Sequence, residues 1–502
     1  MRTALLYMAV LIASGALYVC TCAPGVLWQD SSLLAWRIWR SDVQGDMGLA
    51  LAHPLYIMMG VALKRIPLGE LFYRLNLLSA VLGAVAVANL FLLLRLWLGR
   101  VLPAVIGAVT LAVSWTFWWH AVVAEIYTLY AAQMLGELIF LLQYVRTKKI
   151  GHLYLLGFLN GLSVANHMWA IFGLACYGVF VLVLLARRQI GWRQFAIFAI
   201  LWVLGAAPYE YLIIKDFIQT GSVQATLASA VFGNLWRGAV LNMRITSKVI
   251  LENFIFILYN FPTPNFILFF AGLWFLRKKV PAHSFAYILY ALMALYFVFA
   301  FRYTVVDRYA FFLPFYCLAA ALVGVGADWV LQRYRRKAVI FAVFAFALLP
   351  APVYSVTLEI AREHYKGLGE RRQRPYRDEY KYFLQPWKAG YTGAQRFCDE
   401  TFDIVENDAI IYADSTIIHT LLYVQEAQGK RPDVKIVSDY YKGENAPNFN
   451  EQTIGQLMKE HAIYVVSAAR GYCPDFILDN YDTVQKGVLY RVVERKSAAS
   501  PT

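Results

Sequence analysis

The sequence predicts a polytopic α-helical membrane domain followed by a small α/β domain. Of the 502 residues, 60% are hydrophobic and 16% are charged, whereas about a quarter of the residues of an average soluble domain are charged. Apolar runs of about 20 residues, the length that crosses a bilayer core, recur over the first ~355 positions. The last ~145 residues have ordinary charge and short alternating apolar segments, which indicates a separate soluble unit.

We therefore divide the chain into a transmembrane domain over 1–357, a basic and aromatic-rich linker over 358–390, and a soluble domain over 391–502. The apolar runs predict about eleven spans, at approximately 4–23, 75–94, 101–119, 125–145, 153–168, 169–186, 194–213, 262–276, 284–301, 309–330 and 338–356. The first run has no evident small-residue cleavage site, so we expect it to remain as an uncleaved helix.

The charges between the spans predict the orientation. With the amino terminus inside, the inner connections carry basic clusters and no acid: Arg95 and Arg100; Arg146, Lys148 and Lys149; Arg187, Arg188 and Arg193; Arg277, Lys278 and Lys279; Arg333, Arg335, Arg336 and Lys337. The loop acids fall on the other side: Asp30, Asp42, Asp46, Glu70, Asp216 and Asp307. This separation follows the positive-inside rule and predicts an odd number of spans with the C-terminal domain outside the cytoplasm.

The net charge of +14 is therefore attributed to membrane topology and not to nucleic acid, for which the sequence carries no zinc-finger spacing and no aromatic-basic RNA motif. Metal binding is not expected either, because the chain has no His-x-x-x-His pair and no carboxylate cage.

The first outer loop, over 24–74, is the most polar part of the N-terminal half. Segment 31–44 mixes leucine and tryptophan with arginine, which is typical of a helix lying at the membrane surface. Segment 54–66 is apolar but too short to span. We therefore expect two surface helices in this loop.

Strand-like and helix-like segments alternate in the soluble domain. Strands are predicted at 408–413, 433–438, 462–467 and 487–494, with helices at 416–428 and 451–460. This alternation predicts a small α/β sheet. Cys398 and Cys473 lie in this domain and could form a disulfide if it is extracytoplasmic.

Polar side chains stand at the predicted outer ends of several spans, and each has an ordinary interpretation beside a functional one. Asp30 is either a catalytic carboxylate or a helix N-cap, and His53 before Pro54 suits an ordinary helix start. Glu125 at a span entrance is costly and should have a partner or a function. Asn166 and His167 could simply satisfy helix ends.

A further polar group, with Arg302, Asp307 and Arg308, lies in a short outer turn. Asp307 and Arg308 could form a plain surface ion pair of little energetic value. Arginine is also the usual side chain for binding a phosphate at this depth. All these polar groups fall near one membrane face, and this predicts a shared site.

Several motifs resemble those of a family of bacterial multi-pass proteins related to the animal transmembrane O-mannosyltransferase that acts on plexin-type domains. They are WQDSSLLAW, AHPLYIMMG, RLNLLSAVLGAVAVANL, FWWHAVVAEIYTLY and NGLSVANHMWA, with VVDRYAFFLP, RPYRDEYKYFLQPWKAG and GKRPDVKIV further along. The family pattern Asp-x-Gly-Glu is Asp30 to Leu33 here, and His-Pro-Pro-Gly is His53 to Tyr56. The aspartate and the His-Pro step are retained, while the glycine and glutamate are not.

The resemblance implies a membrane glycosyltransferase of the GT-C fold that uses a polyprenyl-phosphate sugar and no cofactor. Asp30 would be the general base for an inverting transfer of a mannose-like sugar to a hydroxyl, on a secreted or membrane protein. His53, Glu125, Tyr127, Asn166 and His167 would bind or orient the acceptor, and Arg308, with Arg302 or Arg74, would hold the lipid phosphate. Such a protein is expected in a bacterial inner membrane with its C-terminal domain outside.

Two alternatives remain. A lipid or polysaccharide transporter or flippase would also be polytopic, although its site would lie nearer the midplane. A catalytically lapsed scaffold of the same fold would account for Leu33 in place of the family glutamate.

Overall fold

The computed structural model describes residues 2–280, 282–305, 307–365, 374–439, 441 and 446–495. Over the membrane part it contains α1 (Arg2–Thr21), α2 (Asp30–Arg40), α3 (Pro54–Lys64), α4 (Leu71–Leu98), α5 (Val101–Ala112), α6 (Trp115–Ala121), α7 (Tyr127–Thr147), α8 (Ile150–Asn166), α9 (Ala170–Ala186), α10 (Trp192–Thr220), α11 (Val223–Phe232), α12 (Arg237–Val240), α13 (Ser247–Asn260), α14 (Phe266–Lys279), α15 (His283–Arg302), α16 (Leu313–Arg333), α17 (Lys337–Leu348) and α18 (Pro350–His364). Short 3-10 helices lie at Leu49–Leu51 and Arg308–Phe312.

Each of the eleven predicted spans coincides with a helix or a bent pair of helices. Within the described residues, six helices are long and apolar enough to cross a membrane, or up to eight if each bent pair is one span. The bent pairs are α5 with α6, at 69°, and α17 with α18, at 47°. The predicted polytopic helical fold is confirmed, while the exact number of spans stays a prediction. The two predicted surface helices are α2 and α3.

The helices pack closely where glycines face each other. A Cβ atom added to Gly161 of α8 would lie 2.1 Å from the carbonyl oxygen of Trp202 in α10, and one added to Gly326 of α16 would lie 2.0 Å from that of Leu268 in α14. Small residues allow this approach in membranes, where association depends on van der Waals contact.

One charged cluster connects three helix ends on the predicted inner side. The buried carboxylate of Asp328 near the end of α16 lies 2.9 Å from Arg100 Nη1 and 2.9 Å from Lys279 Nζ. Gln332 also donates to it, at 2.7 Å. Asp328 was not among the candidate residues, and these contacts give it a structural role.

The C-terminal part contains α19 (Glu379–Leu384), α20 (Gly393–Ile404), β1 (Ile410–Tyr412), α21 (Ile418–Ala427), β2 (Lys435–Val437), α22 (Ile454–Glu460), β3 (Ile463–Val465), α23 (Asp475–Asn480), β4 (Tyr481–Lys486) and β5 (Leu489–Glu494). The five-stranded sheet has the order β2-β1-β3-β5-β4. Strands β2, β1 and β3 are parallel, with Ile411 paired to Ile436 and Tyr464, and β5 is antiparallel to β3 and β4.

The predicted α/β sheet is confirmed, and the edge strand β4 and helices α20 and α23 are additional to the prediction. The possible disulfide does not form, because Cys398 and Cys473 are both free thiols. They are buried in two separate hydrophobic clusters of the domain.

Candidate active site

Three carboxylates from distant parts of the chain lie close enough for their charges to interact. Asp30 is the first residue of α2, Glu125 lies between α6 and α7, and Asp307 precedes the second 3-10 helix. The Ser31 hydroxyl hydrogen-bonds to Glu125. Glu125 is buried, whereas Asp30 is exposed. Asp30 is thus the carboxylate that an incoming molecule can reach.

The surroundings of these acids favour their protonated forms. Although solvent reaches the Asp30 side chain, the many protein atoms around it reduce its hydration, and this desolvation, and secondly the charge of Asp307, raises the pKa of Asp30 to about 7. Burial also raises the pKa of Glu125 well above its usual value, with Asp30 and Asp307 adding to the effect. The pKa of Asp307 is raised by burial as well. Like charges close together disfavour simultaneous ionisation, so the three acids share less negative charge than their number suggests.

One turn of α4 holds the backbone next to Glu125 and the start of the first outer loop. Asn76 Oδ1 accepts from the Ala124 backbone N–H at 2.7 Å, and Asn76 Nδ2 donates to the Ala23 carbonyl at 3.0 Å. Ser79 Oγ accepts from the Glu125 N–H at 3.0 Å. Both side chains are fully buried, and their spacing of three residues places them on one helix face.

The C-terminal domain holds the turn that precedes Asp30. Gln29 has φ 61° and ψ −134°, a conformation that costs energy for a non-glycine residue. Its N–H donates to the Thr416 carbonyl at 3.0 Å. The Thr420 hydroxyl donates to the Leu27 carbonyl at 2.8 Å. Residues following β1 therefore stabilise the strained backbone next to the candidate base.

Two histidines lie side by side in the same region. The rings of His53 and His167 are stacked with centroids 5.3 Å apart, and His53 Nδ1 lies 2.8 Å from the Asn166 carbonyl oxygen. Because a carbonyl only accepts, Nδ1 carries the proton and Nε2 remains an acceptor. Burial lowers the pKa of His53 to about 4 and that of His167 well below its usual value. Both rings are therefore neutral near pH 7.

The Asn166 side chain connects this pair to the acids. Its Nδ2 donates to the Ile126 carbonyl at 3.2 Å, next to Glu125. Its Oδ1 is buried and has no hydrogen-bond partner among the described residues. An unsatisfied buried acceptor is costly, so it is suited to receive a donor from a bound molecule.

Aromatic side chains form a wall beside these polar groups. The Tyr127 ring lies 4.8 Å from His120, 5.2 Å from Trp169 and 5.9 Å from His167, measured between centroids. Other rings in this wall are Trp119, Tyr130, Tyr309, Phe311 and Tyr382. A mostly apolar wall with few polar groups is the usual composition of a small-molecule site.

The three arginines predicted to bind phosphate already have partners. Arg308 pairs with Glu252 and not with Asp307, and its guanidinium lies 5.5 Å from the Phe256 ring centroid. Arg302 Nη1 donates to the carbonyl oxygens of Val240 and Asn242. Arg74 Nη1 donates to those of Leu63 and Ile66. The phosphate-binding role of these arginines therefore stays a prediction.

Comparison with known proteins identifies part of the chain. The family model described as "Protein O-mannosyl-transferase TMEM260 N-terminal domain" matches residues 49–190. The matched segment is similar to that family. It contains His53, Glu125, Tyr127, Asn166 and His167, so the resemblance that the motifs indicated is confirmed.

The fold of the whole chain is similar to that of solved structures of ArnT from Cupriavidus metallidurans. The apo form matches at 14% identity and a TM-score of 0.58, over 99% of each chain. The form bound to undecaprenyl phosphate matches at 14% identity and a TM-score of 0.56, also over 99% of each chain. The predicted GT-C fold is confirmed, and with the family match it makes this chain a membrane glycosyltransferase.

Sequence reasoning missed several residues around the site. Asp307 was considered only as a partner of Arg308, and Ser31 was not considered. Asn76 and Ser79 had a usable signal, since polar residues three apart in an apolar span are seldom without a partner. Within the described residues, no group of three or more His, Cys, Asp or Glu side chains could hold a metal ion.

Proposed function

We propose that this chain transfers a mannose-like sugar from a polyprenyl-phosphate carrier to a serine or threonine hydroxyl of a secreted or membrane protein. The observation that carries the proposal is the exposed Asp30 close to buried Glu125 and half-buried Asp307. The matched family is described as protein O-mannosyl-transferase, and one ArnT structure of this fold holds undecaprenyl phosphate. Both support a lipid-linked donor.

Asp30 is the general base of this reaction. The acceptor oxygen forms a bond to the anomeric carbon while its proton passes to Asp30. The bond from that carbon to the carrier phosphate breaks, and its electron pair stays on the phosphate oxygen. The attack comes from the face opposite the phosphate, so the anomeric configuration inverts. Because its pKa is raised to about 7, Asp30 is partly ionised near neutral pH, and the ionised form binds the proton more strongly in the transition state than an ordinary aspartate would.

Glu125 and the histidines orient the reacting groups. Burial raises the pKa of Glu125 well above its usual value, which favours its protonated form and limits the negative charge beside Asp30. His53 Nε2 and Asn166 Oδ1 accept hydrogen bonds from hydroxyl groups of the sugar or the acceptor. Tyr127 and His167 form part of the wall against which the sugar packs.

The site faces the outside of a bacterial inner membrane, with the C-terminal domain in the periplasm or beyond. The arrangement of basic inner and acidic outer connections supports this orientation. A catalytically lapsed scaffold, which Leu33 made conceivable, would have no need of an accessible carboxylate held on a strained turn.

The experiment uses the purified full chain in lipid nanodiscs with radiolabelled polyprenyl-phosphate sugars. Mannose, glucose and N-acetylglucosamine donors are offered with serine- and threonine-containing peptides. We expect label to enter a peptide from a lipid-linked donor, and no label from a nucleotide sugar. Transport of the labelled lipid across vesicles without any glycosylated product would contradict the proposal and favour a flippase.

A further inference from the structure

Two buried cations lie in the segment between α18 and α20. Arg377 precedes α19 and Lys388 follows it, and they are 7% and 2% exposed. Long basic side chains usually keep their charged ends in water. Burying two of them in one short segment is expensive unless anions compensate.

Arg377 is only partly compensated. Its Nε lies 3.1 Å from Glu379 Oε1. Its Nη1 is buried without a hydrogen-bond partner in the part of the chain that the structure describes. The guanidinium lies 4.4 Å from the Tyr382 ring centroid and 5.6 Å from that of Trp28. These rings attract the cation electrostatically but do not neutralise its positive charge.

Lys388 is compensated still less. Its Nζ donates to the Gln385 carbonyl at 2.6 Å and lies 5.3 Å from the ring centroids of Trp119 and Tyr382. None of the described carboxylates lies within ion-pair distance of it. Burial lowers its pKa well below the usual value, and the charges of Lys381 and Arg377 add to the effect.

The charges in this cluster do not balance among the residues that the structure describes. Arg377 and Lys388 contribute two positive charges, and Glu379, the acid that Arg377 contacts, contributes one negative charge. The excess positive charge and the unused N–H donors together indicate an anionic ligand, because either an anion or loss of the lysine proton must relieve the cost.

The cluster adjoins the candidate active site across Tyr382. The Tyr382 ring lies 6.0 Å from that of Trp119 in the aromatic wall of the candidate site and 4.4 Å from the Arg377 guanidinium, measured to ring centroids. Trp28, which Arg377 covers, is two residues before Asp30. These contacts place the two cations next to the turn that carries the candidate base.

We propose that Arg377 and Lys388 form a phosphate-binding site that receives the phosphate of the lipid carrier. The identity of the carrier rests on the proposed function, while the existence of an anion site does not. The leaving phosphate gains charge as its bond to the sugar breaks, and fixed cations stabilise that charge. The segment after the last span therefore completes the site, in place of Arg308, Arg302 and Arg74.

The test measures binding to the purified full chain of three probes: undecaprenyl phosphate, uncharged undecaprenol and inorganic phosphate. For the wild type we expect undecaprenyl phosphate to bind at least about tenfold more tightly than undecaprenol. Lys388→Met should weaken the phosphate lipid about tenfold or more and leave undecaprenol unchanged, because only a charge-assisted contact is lost. Arg377→Gln should act in the same direction.

Lys388→Arg keeps the charge and should stay within about threefold of wild type, and Lys381→Met is the matched control for an exposed lysine of the same segment. If millimolar inorganic phosphate displaces the lipid, the site binds phosphate in general. If it does not, the site is selective for the lipid-linked form. Either result supports the proposal.

The proposal is overturned if Lys388→Met binds undecaprenyl phosphate as wild type does, or if it weakens both lipids equally. Should the variants fail to fold, equal affinity of the wild type for the two lipids would overturn it as well. Asp30→Asn should bind normally whatever its activity, so failure of the anion site and failure of the proposed base are separable.

Discussion

At the scale of single residues, charge decides how the candidate site works. Asp30 acts as a base only when ionised, and its raised pKa means that activity is lost as the pH falls through that value. Because His53 is neutral, it adds no positive charge that would lower the pKa of Asp30. The acidic limb of the pH profile should therefore lie above the usual titration range of an aspartate.

Replacing Asp307 by asparagine should move that limb. The charge of Asp307 raises the pKa of Asp30, so its removal lets Asp30 ionise at lower pH and keeps the enzyme active there. The measurement is kcat/KM for transfer between pH 4 and 8. A limb that stays in place in Asp307→Asn, or moves to higher pH, would show that the two carboxylates do not interact. Asp46→Asn, an exposed acid of the first outer loop, is the control.

Much of the residue set could be predicted from the sequence. Asp30, Glu125 and His167 are polar residues beside apolar runs, where a polar side chain is costly and therefore indicates a partner or a function. The pairing of Arg308 could not be predicted, because its partner Glu252 is 56 positions away and belongs to another helix. The proximity of Asp307 to Asp30 depends on the same long-range packing.

At the scale of elements, the turn before α2 depends on the C-terminal domain. Thr420 at the start of α21 donates to the Leu27 carbonyl and to Ser32 Oγ, at 2.8 and 3.0 Å. Trp36 of α2 donates to Glu426 at 3.1 Å. The two domains therefore contact each other through specific hydrogen bonds next to the candidate base.

Thr420→Val should lower kcat about tenfold and leave the donor KM nearly unchanged. The substitution keeps the shape but removes a buried hydroxyl, at a cost of about 1–3 kcal/mol, and loosens the position of Asp30, to which catalysis is sensitive. Steady-state kinetics measures the effect, with Thr483→Val on β4 as the control. A kcat within twofold of wild type would mean that the contact does not position the base.

Sequence patterns located most elements but not their contacts. The apolar runs and the alternating segments predicted the spans and strands β1, β2, β3 and β5. Edge strand β4 was missed because only the ends of Tyr481–Lys486 and one inner position are even partly buried, which gives no clear alternation. Helix α20 was missed because its apolar face packs on the other domain, with Phe397 lying 5.7 Å from Trp28.

At the scale of the whole molecule, the candidate site can reach a donor lipid in the outer leaflet only if it lies on the outer side of the membrane. The fold places the C-terminal domain against the loop that carries Asp30, so both must lie on the same side of the membrane. The positive-inside rule predicts that this side lies outside the cytoplasm. The charges of the connections carry this prediction, while the exact number of spans stays a prediction as well.

Reporter fusions test this orientation. Alkaline phosphatase fused after the full chain should be active, and green fluorescent protein at the same point should be dark. Insertion at Lys148, between α7 and α8, should give the reverse. A fluorescent C-terminal fusion would place the site in the cytoplasm and remove the proposed access to an outer-leaflet donor.

The most direct test of Asp30 as the catalytic base is the transfer activity of Asp30→Asn. The amide has nearly the shape of the carboxylate but cannot accept the proton, so kcat should fall at least ~100-fold, while the protein accumulates in the membrane and binds undecaprenyl phosphate as wild type does. An Asp30→Asn protein that transfers sugar at the wild-type rate would contradict this assignment.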